Sequence, residues 1–377
     1  MKQLHWIKTS LVLICCLGWV DSIYSQVTQK VAFDDSRWVF DAAIAKVEPY
    51  KGRQSLHLKG GTAHLEGPAF TDGTIEFDIS FAQTRGFLGM FFRRQSAGNH
   101  EEYYMRAHQS GNPDAMQYTP VFNGLSGWQL YYGAGYSVPF RYVFDEWMHV
   151  KVVFKGKQAA VYLAGSDEPT LYIPELKREV APGQIGLIAV TGFSEAYYSN
   201  FRYSSVSPEL PDRSVPSPEL PAGLVLEWSI LPEAFADSLL ADKTGLPPLI
   251  HAGKPWTTAT VESSGVLNLA RWSGAQPGRN TMLVRLTIES EIPQRKAFQY
   301  GFSDQARIYL NGDLLAEGSD AFTSRDYRFL GTIGWYDTVY LPLQKGRNEL
   351  VIAVTETFGG WGIQAAIPDR AGIRTKP

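Results

Sequence analysis

The sequence predicts an all-β protein built from two β-sandwich (jelly-roll) domains, joined by a proline-rich linker and preceded by an N-terminal signal peptide. Three observations support this fold class. Short stretches alternate apolar and polar residues with the period of a strand, and turn residues separate them. Aromatic residues, glycine and proline are plentiful, whereas long helical patterns are almost absent. One proline-dense stretch divides the chain.

Residues 1–25 have the composition of a secretory signal peptide. Two lysines precede the apolar run SLVLICCLGWV, which is too short to span a bilayer. Ser25 ends a cleavage-like IYS before Gln26, whereas Ile14, which is not a small residue, precedes Cys15 and disfavours a lipoprotein. We therefore expect an exported protein, periplasmic or extracellular.

Cysteine content and charge exclude several classes of protein. Both cysteines, Cys15 and Cys16, lie in the predicted signal peptide, so the mature chain has no disulfide, thiolate metal site or cysteine nucleophile. A formal net charge of −3 provides no positive electrostatic potential that would attract nucleic acid or anionic lipid. No later stretch of the sequence is apolar enough for membrane insertion.

The proline-rich stretch marks the predicted domain boundary. The pentapeptide SPELP occurs at 207–211 and again at 217–221. Proline at this density excludes a helix interior or a central strand and favours an extended, semi-rigid chain. We therefore place the linker at 206–222, the first domain at 26–205 and the second at 223–377.

Nine stretches of the first domain are predicted to be successive short strands, as in an antiparallel sandwich. They are SLHLKG, TAHLEG, TIEFDISF, GFLGMFFRR, EEYYMRAH, GWQLYYG, WMHVKVVFKG, QAAVYLAG and QIGLIAV. VVFKGKQAAVYL predicts a hairpin with its tip near Lys155, Gly156 and Lys157.

The second domain contains fewer clear strands. The best are TMLVRLTIES, ARIYLNGDLLAEG, DTVYLPL and NELVIAVTE. Asn311 and Gly312 predict a type I′ hairpin turn, because both residues tolerate positive φ. The stretch Ser229–Ala241 fits a helix or a folded loop.

The first domain resembles the concanavalin A-like lectin/glucanase superfamily, in its laminin-G-like branch. The similarity follows the order GFLGMFFRRQSAGNHEEYYMRAHQSGNPDAMQYTPVFNG, EWMHVKVVFKGKQAAVYL, GQIGL and YYSNFRY, and extends from about Val31 to about Tyr203. Within that branch it is similar to bacterial domains named 3-keto-disaccharide hydrolase or family 16 glycoside hydrolase-like. The second domain resembles the galactose-binding-domain-like jelly roll in FSDQARIYLNGDLL, PLQKGRNELVIAVTE and GGWGIQAAI. The resemblance implies two carbohydrate-handling sandwiches, but the superfamily mixes lectins, hydrolases and adhesion modules.

The stretch DGTIEFDISF places Glu76 and Asp78 on one face of a predicted strand. Family 16 enzymes carry three alternating acids on the corresponding strand, and retaining hydrolysis needs two carboxyls about 5–5.5 Å apart. Here Ser80 and Phe81 stand where the third acid would be. We therefore interpret this strand as structural, with its acids on a polar face and the intervening apolar residues in a core.

The strand EEYYMRAHQ and the loop GNPDAMQYTPVFNGLSGW contain the candidate ligand site. One face of the strand is apolar, and the other is polar or amphipathic, as a ligand-facing surface would be. The loop adds amides and a stacking ring for sugar hydroxyls and ring faces. The predicted ligand-binding residues are Arg93, Glu102, Tyr104, Arg106, His108, Asp114, Gln117, Tyr118, Asn123 and Trp128. The alternative is a solvated sheet face with the aromatic residues in the core.

The sequence predicts no metal centre and no cofactor, because its histidines lack HExxH or any dense ligand spacing. Calcium, which many relatives bind through oxygen ligands, is left open at Phe33–Asp35 and at Asp304. Jelly rolls usually bury one or two tryptophans, and in the second domain Trp335 and Trp361 are the pair to test first for exposure and sugar stacking.

Three functions follow as hypotheses. The first is an exported carbohydrate-binding or glycan-associated protein without strong catalysis of its own. The alternative is a hydrolase of disaccharides or 3-keto sugars, with Glu102 or Asp114 as general acid or base and His108 as a proton carrier. A third is adhesion or surface assembly, in which the linker spaces two interaction modules.

Overall fold

The computed structural model describes residues 28–377 apart from residues 191, 217–218 and 242–243. Strands occupy 53% of the chain and helices 4%, which confirms the predicted all-β class. The predicted signal peptide, with both cysteines, lies outside the described residues.

Strands follow one another along the chain with few helical interruptions. The first fourteen are β1 (Gln29–Lys30), β2 (Trp38–Tyr50), β3 (Arg53–Phe70), β4 (Gly73–Ser80), β5 (Phe87–Ser96), β6 (Asn99–Arg106), β7 (Met116–Phe122), β8 (Leu125–Ser126), β9 (Ser137–Val138), β10 (Met148–Lys155), β11 (Gln158–Leu163), β12 (Leu171–Ile173), β13 (Gly183–Val190) and β14 (Glu195–Ser204). The others are β15 (Glu227–Phe235), β16 (Thr257–Thr260), β17 (Leu267–Asn268), β18 (Thr281–Ser290), β19 (Gln294–Ser303), β20 (Gln305–Leu310), β21 (Asp313–Ser319), β22 (Asp337–Leu343), β23 (Gly346–Thr355), β24 (Gly362–Ala366) and β25 (Ile373–Lys376).

Among the residues that the structure describes, helical structure is limited to single turns. One α-helical turn, α1, spans Pro248–His251, and 3₁₀ turns occupy Ala107–Gln109, Asp237–Leu240 and Leu269–Arg271. In the part of the chain that the structure describes, no helix is long and apolar enough to cross a bilayer.

The chain forms two compact units, each made of several segments. The first unit contains the described residues up to Arg93, Tyr104–Ala115 and Pro139–Arg213. The second contains Arg94–Tyr103, Met116–Val138 and the described residues from Ser214 to Pro377. The domain and linker boundaries expected from the sequence stay a prediction.

The first unit is an antiparallel sheet that folds over on itself. Its strands follow the order β12-β11-β10-β4-β14-β3-β13-β5, and β2 pairs with β3 along most of its length. The sequence predicts two strands in SLHLKG and TAHLEG, but the structure has one long strand, β3. This strand pairs with β14 through Leu56–Lys59 and with β13 through Gly61–Phe70, so it carries the sheet from one layer to the other.

Side chains from both layers of the first unit meet in one core. The rings of Phe92 on β5 and Phe154 on β10 have centroids 4.4 Å apart. The hydroxyl of Tyr198 on β14 donates to the carbonyl of Ile188 on β13 at 2.5 Å. The alternation of β4 is confirmed: Ile75, Phe77 and Ile79 are fully buried in this core.

The second unit contains two packed sheets. One has the order β16-β15-β18-β23-β20-β21 with β25 beside β18, and the other has the order β17-β24-β19-β22. Apolar residues of both sheets form one buried cluster that includes Trp228, Ile352, Phe298 and Trp361. This is the arrangement of a sandwich.

Local turn chemistry confirms both predicted hairpins. Asn311 and Gly312 have φ values of 53° and 94° between β20 and β21. Gly156 has a φ of 54° at the tip of the β10–β11 hairpin. The expectation for Ser229–Ala241 was wrong in part, because β15 continues to Phe235 by pairing with β18, and only Asp237–Leu240 makes a helical turn.

Candidate functional site

Arg93 is buried inside the first unit, with 1% of its surface exposed. Its Nε donates to the carbonyl of Thr71 and its Nη2 to the carbonyl of Gly156, both at 2.7 Å. It also pairs with Asp72 at 3.4 Å. Arg93 therefore ties two turns together.

Tyr104, Arg106 and Asp114 come together as predicted, but they are buried. Arg106 donates to the carbonyl of Asp114 at 2.8 Å and to the hydroxyl of Tyr104 at 2.9 Å. The apolar side of β6, which includes Tyr103 and Met105, is buried as well. At Tyr104 and Arg106, the face predicted to meet solvent is therefore interior.

His108 is the exposed member of the group in the first unit. Its Nδ1 accepts a long hydrogen bond of 3.5 Å from the amide of Gly86, and its ring lies edge-on to Phe87. Partial burial and the charges of Arg85 and Arg106 lower its pKa, so the imidazole is neutral at pH 7.

Three predicted residues in the second unit have polar partners there. Glu102 pairs with His100 at 3.3 Å. Tyr118 is buried and donates its hydroxyl to Glu101 at 2.7 Å. Gln117 donates its side-chain amide to the main chain of the following loop at 2.8 Å.

Asn123 and Trp128 complete the set in the second unit. Asn123 is exposed and donates its amide to the carbonyl of Ala270 at 2.9 Å. Trp128 is half-buried and packs edge-on against Phe322 and Phe358. Ligand binding by the ten predicted residues stays a prediction.

The catalytic candidates do not share a unit. Glu102 belongs to the second unit, and Asp114 and His108 belong to the first. Asp114 is also buried beneath its ion pair with Arg106 at 3.8 Å. A catalytic role for these three side chains likewise stays a prediction.

A different cluster, built on the polar face of β4, is partly open to solvent. Glu76 and Asp78 project from the same side of β4 because they are two residues apart. His149 on the neighbouring strand β10 lies between them, with Nδ1 2.8 Å from Asp78 and Nε2 3.1 Å from Glu76. The imidazole therefore bridges the two carboxylates.

Side chains from β3 and β14 complete the cluster. Arg202 donates to Glu76 at 2.5 Å, and Arg53 donates to Asp78 at 2.5 Å. Asn200 donates its amide to Asp78 at 2.6 Å. Glu76 therefore receives hydrogen bonds from two strands besides its own, and Asp78 receives them from three.

These contacts keep the cluster fully ionised at neutral pH. Burial alone would raise the pKa of Glu76, but hydrogen bonds from His149 and Arg202 outweigh it and lower the pKa to about 2. The pKa of Asp78 is lowered in the same way, against its burial, by His149 and Asn200. Hydrogen bonds to Asp78 and Glu76 raise the pKa of His149 to about 9. None of the three groups can exchange a proton readily near pH 7.

Aromatic rings lie beside the charged cluster. The ring of Tyr197 is stacked between Tyr50, at a centroid distance of 3.6 Å, and His57, at 4.5 Å. Trp147 meets Tyr50 edge-on at 5.9 Å, and the guanidinium of Arg53 lies 5.0 Å from the Trp147 ring. Tyr50, Trp147 and Tyr197 are all half-buried.

Together these side chains form one continuous surface of the first unit, which we call the β4 face. It comprises Tyr50, Arg53, His57, Glu76, Asp78, Trp147, His149, Lys151, Tyr197, Asn200 and Arg202.

Paired charges border the β4 face on β2 and β3. His57 lies 2.8 Å from Glu195 and 3.4 Å from Glu48. Lys59 pairs with Glu195 at 2.8 Å, and Lys46 pairs with Glu48 at 2.6 Å. The acids of this border are therefore neutralised by cations next to them.

A groove of about 330 Å³ opens next to the cluster. Its volume lies at the lower end of the range for ligand sites. Trp147 and His149 form one wall, so the groove and the β4 face share residues. Other lining residues are Phe140, Arg141, Val143, Glu146, Met148, Ala164 and Gly165.

The positions left open for calcium are held by protein groups. Asp35 pairs with Arg37 at 2.8 Å. Asp304 is buried, and one of its oxygens accepts hydrogen bonds from the amides of Thr357 and Phe358 and from the Thr357 hydroxyl. Among the described residues, no group of three His, Cys, Asp or Glu side chains is arranged to hold a metal ion. Calcium binding stays a prediction.

The two tryptophans proposed for sugar stacking in the second domain differ. Trp361 is fully buried and donates its indole N–H to the carbonyl of Val354 at 2.9 Å. Trp361 is therefore not available for sugar stacking, because the ring belongs to the core of the second unit. Trp335 is half-buried.

Sequence reasoning missed the partners of Glu76 and Asp78. The stretch WMHVKVVF contained a usable signal, because Trp147, His149 and Lys151 alternate with buried apolar residues. The remaining partners lie on strands distant in sequence, and no local pattern pairs those strands.

No family model and no curated protein matches the chain. The carbohydrate binding module CBM66 from Bacillus subtilis is 16% identical, covers 46% of this chain and 98% of its own, and has a TM-score of 0.35. A protein of unknown function with a galectin-like fold from Bacillus subtilis is 12% identical, with 47% and 98% covered and a TM-score of 0.35. The GH43 protein BlXynB from Bacillus licheniformis is 11% identical, with 47% and 39% covered and a TM-score of 0.35. At such low values, function must be argued from this chain's own side chains.

Proposed function

We propose that this protein binds carbohydrate on the β4 face and does not cleave it there. The observation that carries the proposal is the adjacent pair of half-buried rings, Tyr50 and Trp147, which adjoins hydrogen-bonding side chains held in fixed positions. A pyranose presents an apolar ring face and a rim of hydroxyls, and this surface offers partners for both.

The polar partners are preorganised. Arg53 and Arg202 are each anchored by a carboxylate, so their conformations are restricted before any ligand arrives. Ordering flexible side chains on binding costs free energy, and prior anchoring reduces that cost. Rigid rings with anchored donors favour recognition of a semi-rigid polymer such as a polysaccharide.

The charge state of the cluster argues against hydrolysis at this face. Glycosidic cleavage needs one carboxyl that keeps its proton near neutral pH and a second that is ionised. Glu76 and Asp78 both have lowered pKa values, and His149 is protonated by the same contacts. The cluster has no proton donor of suitable pKa for a leaving group.

Affinity electrophoresis through gels that contain neutral or acidic polysaccharides tests the binding proposal. Trp147→Ala should weaken retardation about fivefold to tenfold, because the loss of one aromatic contact costs about 1 kcal/mol. Trp147→Phe, which keeps a ring, should restore part of it. Tyr340→Ala removes a ring that is 64% exposed in the second unit and should change nothing.

Two outcomes would contradict the proposal. The first is that no polysaccharide in the panel retards the folded wild-type protein. The second is that Trp147→Ala and Tyr340→Ala, both folded by circular dichroism, migrate like the wild type in a gel that retards it.

Export is part of the same proposal, since a surface for polysaccharide serves a periplasmic or extracellular protein. Cell fractionation with N-terminal sequencing of the mature chain tests it. We expect a processed chain that begins at Gln26 outside the cytoplasm. An unprocessed chain in the cytoplasm would contradict export.

A further inference from the structure

The acids of the β4 face are all engaged, and its cations are in excess. Glu76 and Asp78 are shared by Arg53, Arg202 and the protonated His149. Three positive groups thus face two negative ones, and this cluster alone has a surplus of one positive charge.

Lys151 adds to the surplus on the same strand. It lies two residues beyond His149 on β10, on the same side of the sheet, and opposite Glu76 on β4. Its Nζ lies 5.3 Å from the ring of Tyr162. Within the described parts of the chain it makes no ion pair, and Glu76, the residue opposite it, is held by Arg202 and His149.

Arg141 brings a further cation to the groove. It is exposed, and its side chain lies over Gly111, where a Cβ would be 3.6 Å from the guanidinium. Like Lys151, it forms no ion pair in the portion of the chain that the structure covers. Glu146 supplies the single carboxylate among the residues that line the groove.

Four cationic side chains and one imidazolium therefore face three carboxylates, which leaves two positive charges around the groove and the β4 face. The whole chain has a formal net charge of −3, so this surface has the opposite sign to the molecule. Local excess charge of one sign raises the concentration of oppositely charged ligands near a surface.

We infer that the β4 face binds an acidic polysaccharide, with a carboxylate or sulfate group of the ligand at Arg141 in the groove and a sugar ring against Trp147. This inference rests on the proposed carbohydrate-binding function and specifies its ligand class. Arg141 offers a planar fork of N–H donors, which suits both kinds of oxyanion. Lys151 extends the positive strip along β10 toward the next charged group of a polymer.

The test compares three probes on the full chain: polygalacturonate for carboxylates, dextran sulfate for sulfate esters, and unmodified dextran as a neutral control. We expect one or both acidic polymers to bind at least tenfold more tightly than dextran. Binding should weaken steeply as salt rises from about 0.05 M to about 0.5 M, because counterions screen exposed charge. Comparison of polygalacturonate with dextran sulfate shows whether the site prefers a carboxylate or a sulfate group.

Charge-removing variants locate the site. Arg141→Gln and Lys151→Gln should each weaken binding of the acidic polymer about fivefold to tenfold. Lys345→Gln, a matched change at an exposed position in the second unit, should leave it unchanged. Trp147→Ala should weaken binding of the acidic polymer as well. This result would show that the cations and the aromatic ring contact the same ligand.

Each failure has a distinct meaning. Equal binding of neutral and acidic polymers, with loss in Trp147→Ala, would overturn the ligand class and leave the carbohydrate-binding function standing. If Lys345→Gln weakened binding of the acidic polymer as much as Lys151→Gln does, the binding would be a non-specific charge effect. That result would overturn the site. Binding of none of the three polymers would overturn the inference, and failure of the wider panel would overturn the proposed function.

Discussion

The β4 face and strand β6 use the same kinds of side chain in opposite settings. Each contains an arginine paired with a carboxylate, together with tyrosine and histidine nearby. The side chain of Arg202 on the β4 face is 31% exposed, whereas Arg106 on β6 is buried. The comparison shows that residue type and spacing define a polar cluster, but solvent access decides whether it can meet a ligand.

The largest expected difference between the β4 face and β6 is the loss of stability when the arginine of each is removed. Arg106→Ala leaves Asp114 and Tyr104 buried without their partner and should lower the free energy of unfolding by about 3 kcal/mol. Arg202→Ala, in the same unit, should cost less than about 1 kcal/mol, because water can solvate Glu76. Urea denaturation of both variants measures the difference, and equal losses would contradict it.

The pH dependence of stability should show a smaller effect, which comes from the ionised cluster on the β4 face. The folded-state pKa of His149 is raised to about 9, so its contribution is complete below pH 6.5 and is lost as pH rises through 9. We expect a loss of about 1 kcal/mol after allowance for solvent screening. Glu76, with its pKa lowered to about 2, contributes above pH 4.5 and loses that contribution as pH falls through 2.

Thermal denaturation of His149→Gln between pH 6 and pH 10 checks this expectation. The variant should lack the alkaline loss that the wild type shows. The matched variant His108→Gln changes an exposed imidazole whose pKa is lowered, and it should keep the wild-type alkaline slope. An unchanged slope in His149→Gln would show that the bridge between the two carboxylates has no such effect.

Glu102→Gln should have the smallest effect. Glu102 is half-buried and pairs with His100, so loss of its charge should change stability by about 0.5 kcal/mol or less. Binding to polysaccharide should be unaffected. The enzymatic alternative would instead be supported if the wild type hydrolysed disaccharides or 3-keto sugars and Glu102→Gln abolished that activity.

Local sequence patterns predicted much of the fold. The alternation around Ile75, Phe77 and Ile79 placed these residues in the core, since strand periodicity is a property of neighbouring residues. Asn311 and Gly312 predicted their turn for a similar reason, because positive φ is a preference of single residues.

The candidate site depends on non-local pairing, and this is where sequence reasoning stopped. The alternation of EEYYMRAHQ is real, yet Tyr104 and Arg106 on its polar side are covered. The sequence of EEYYMRAHQ does not indicate which residues pack against its polar side. Conversely, His149 reaches Glu76 only because β10 pairs with β4, more than seventy residues earlier.

Hydrogen–deuterium exchange with and without saturating polysaccharide, using the polymer that binds most tightly, tests the central claim most directly. The account predicts slower exchange in peptides that cover residues 50–59 and 147–151, with residues 102–118 unchanged. Slower exchange confined to residues 102–118 would contradict it and restore the site expected from the sequence.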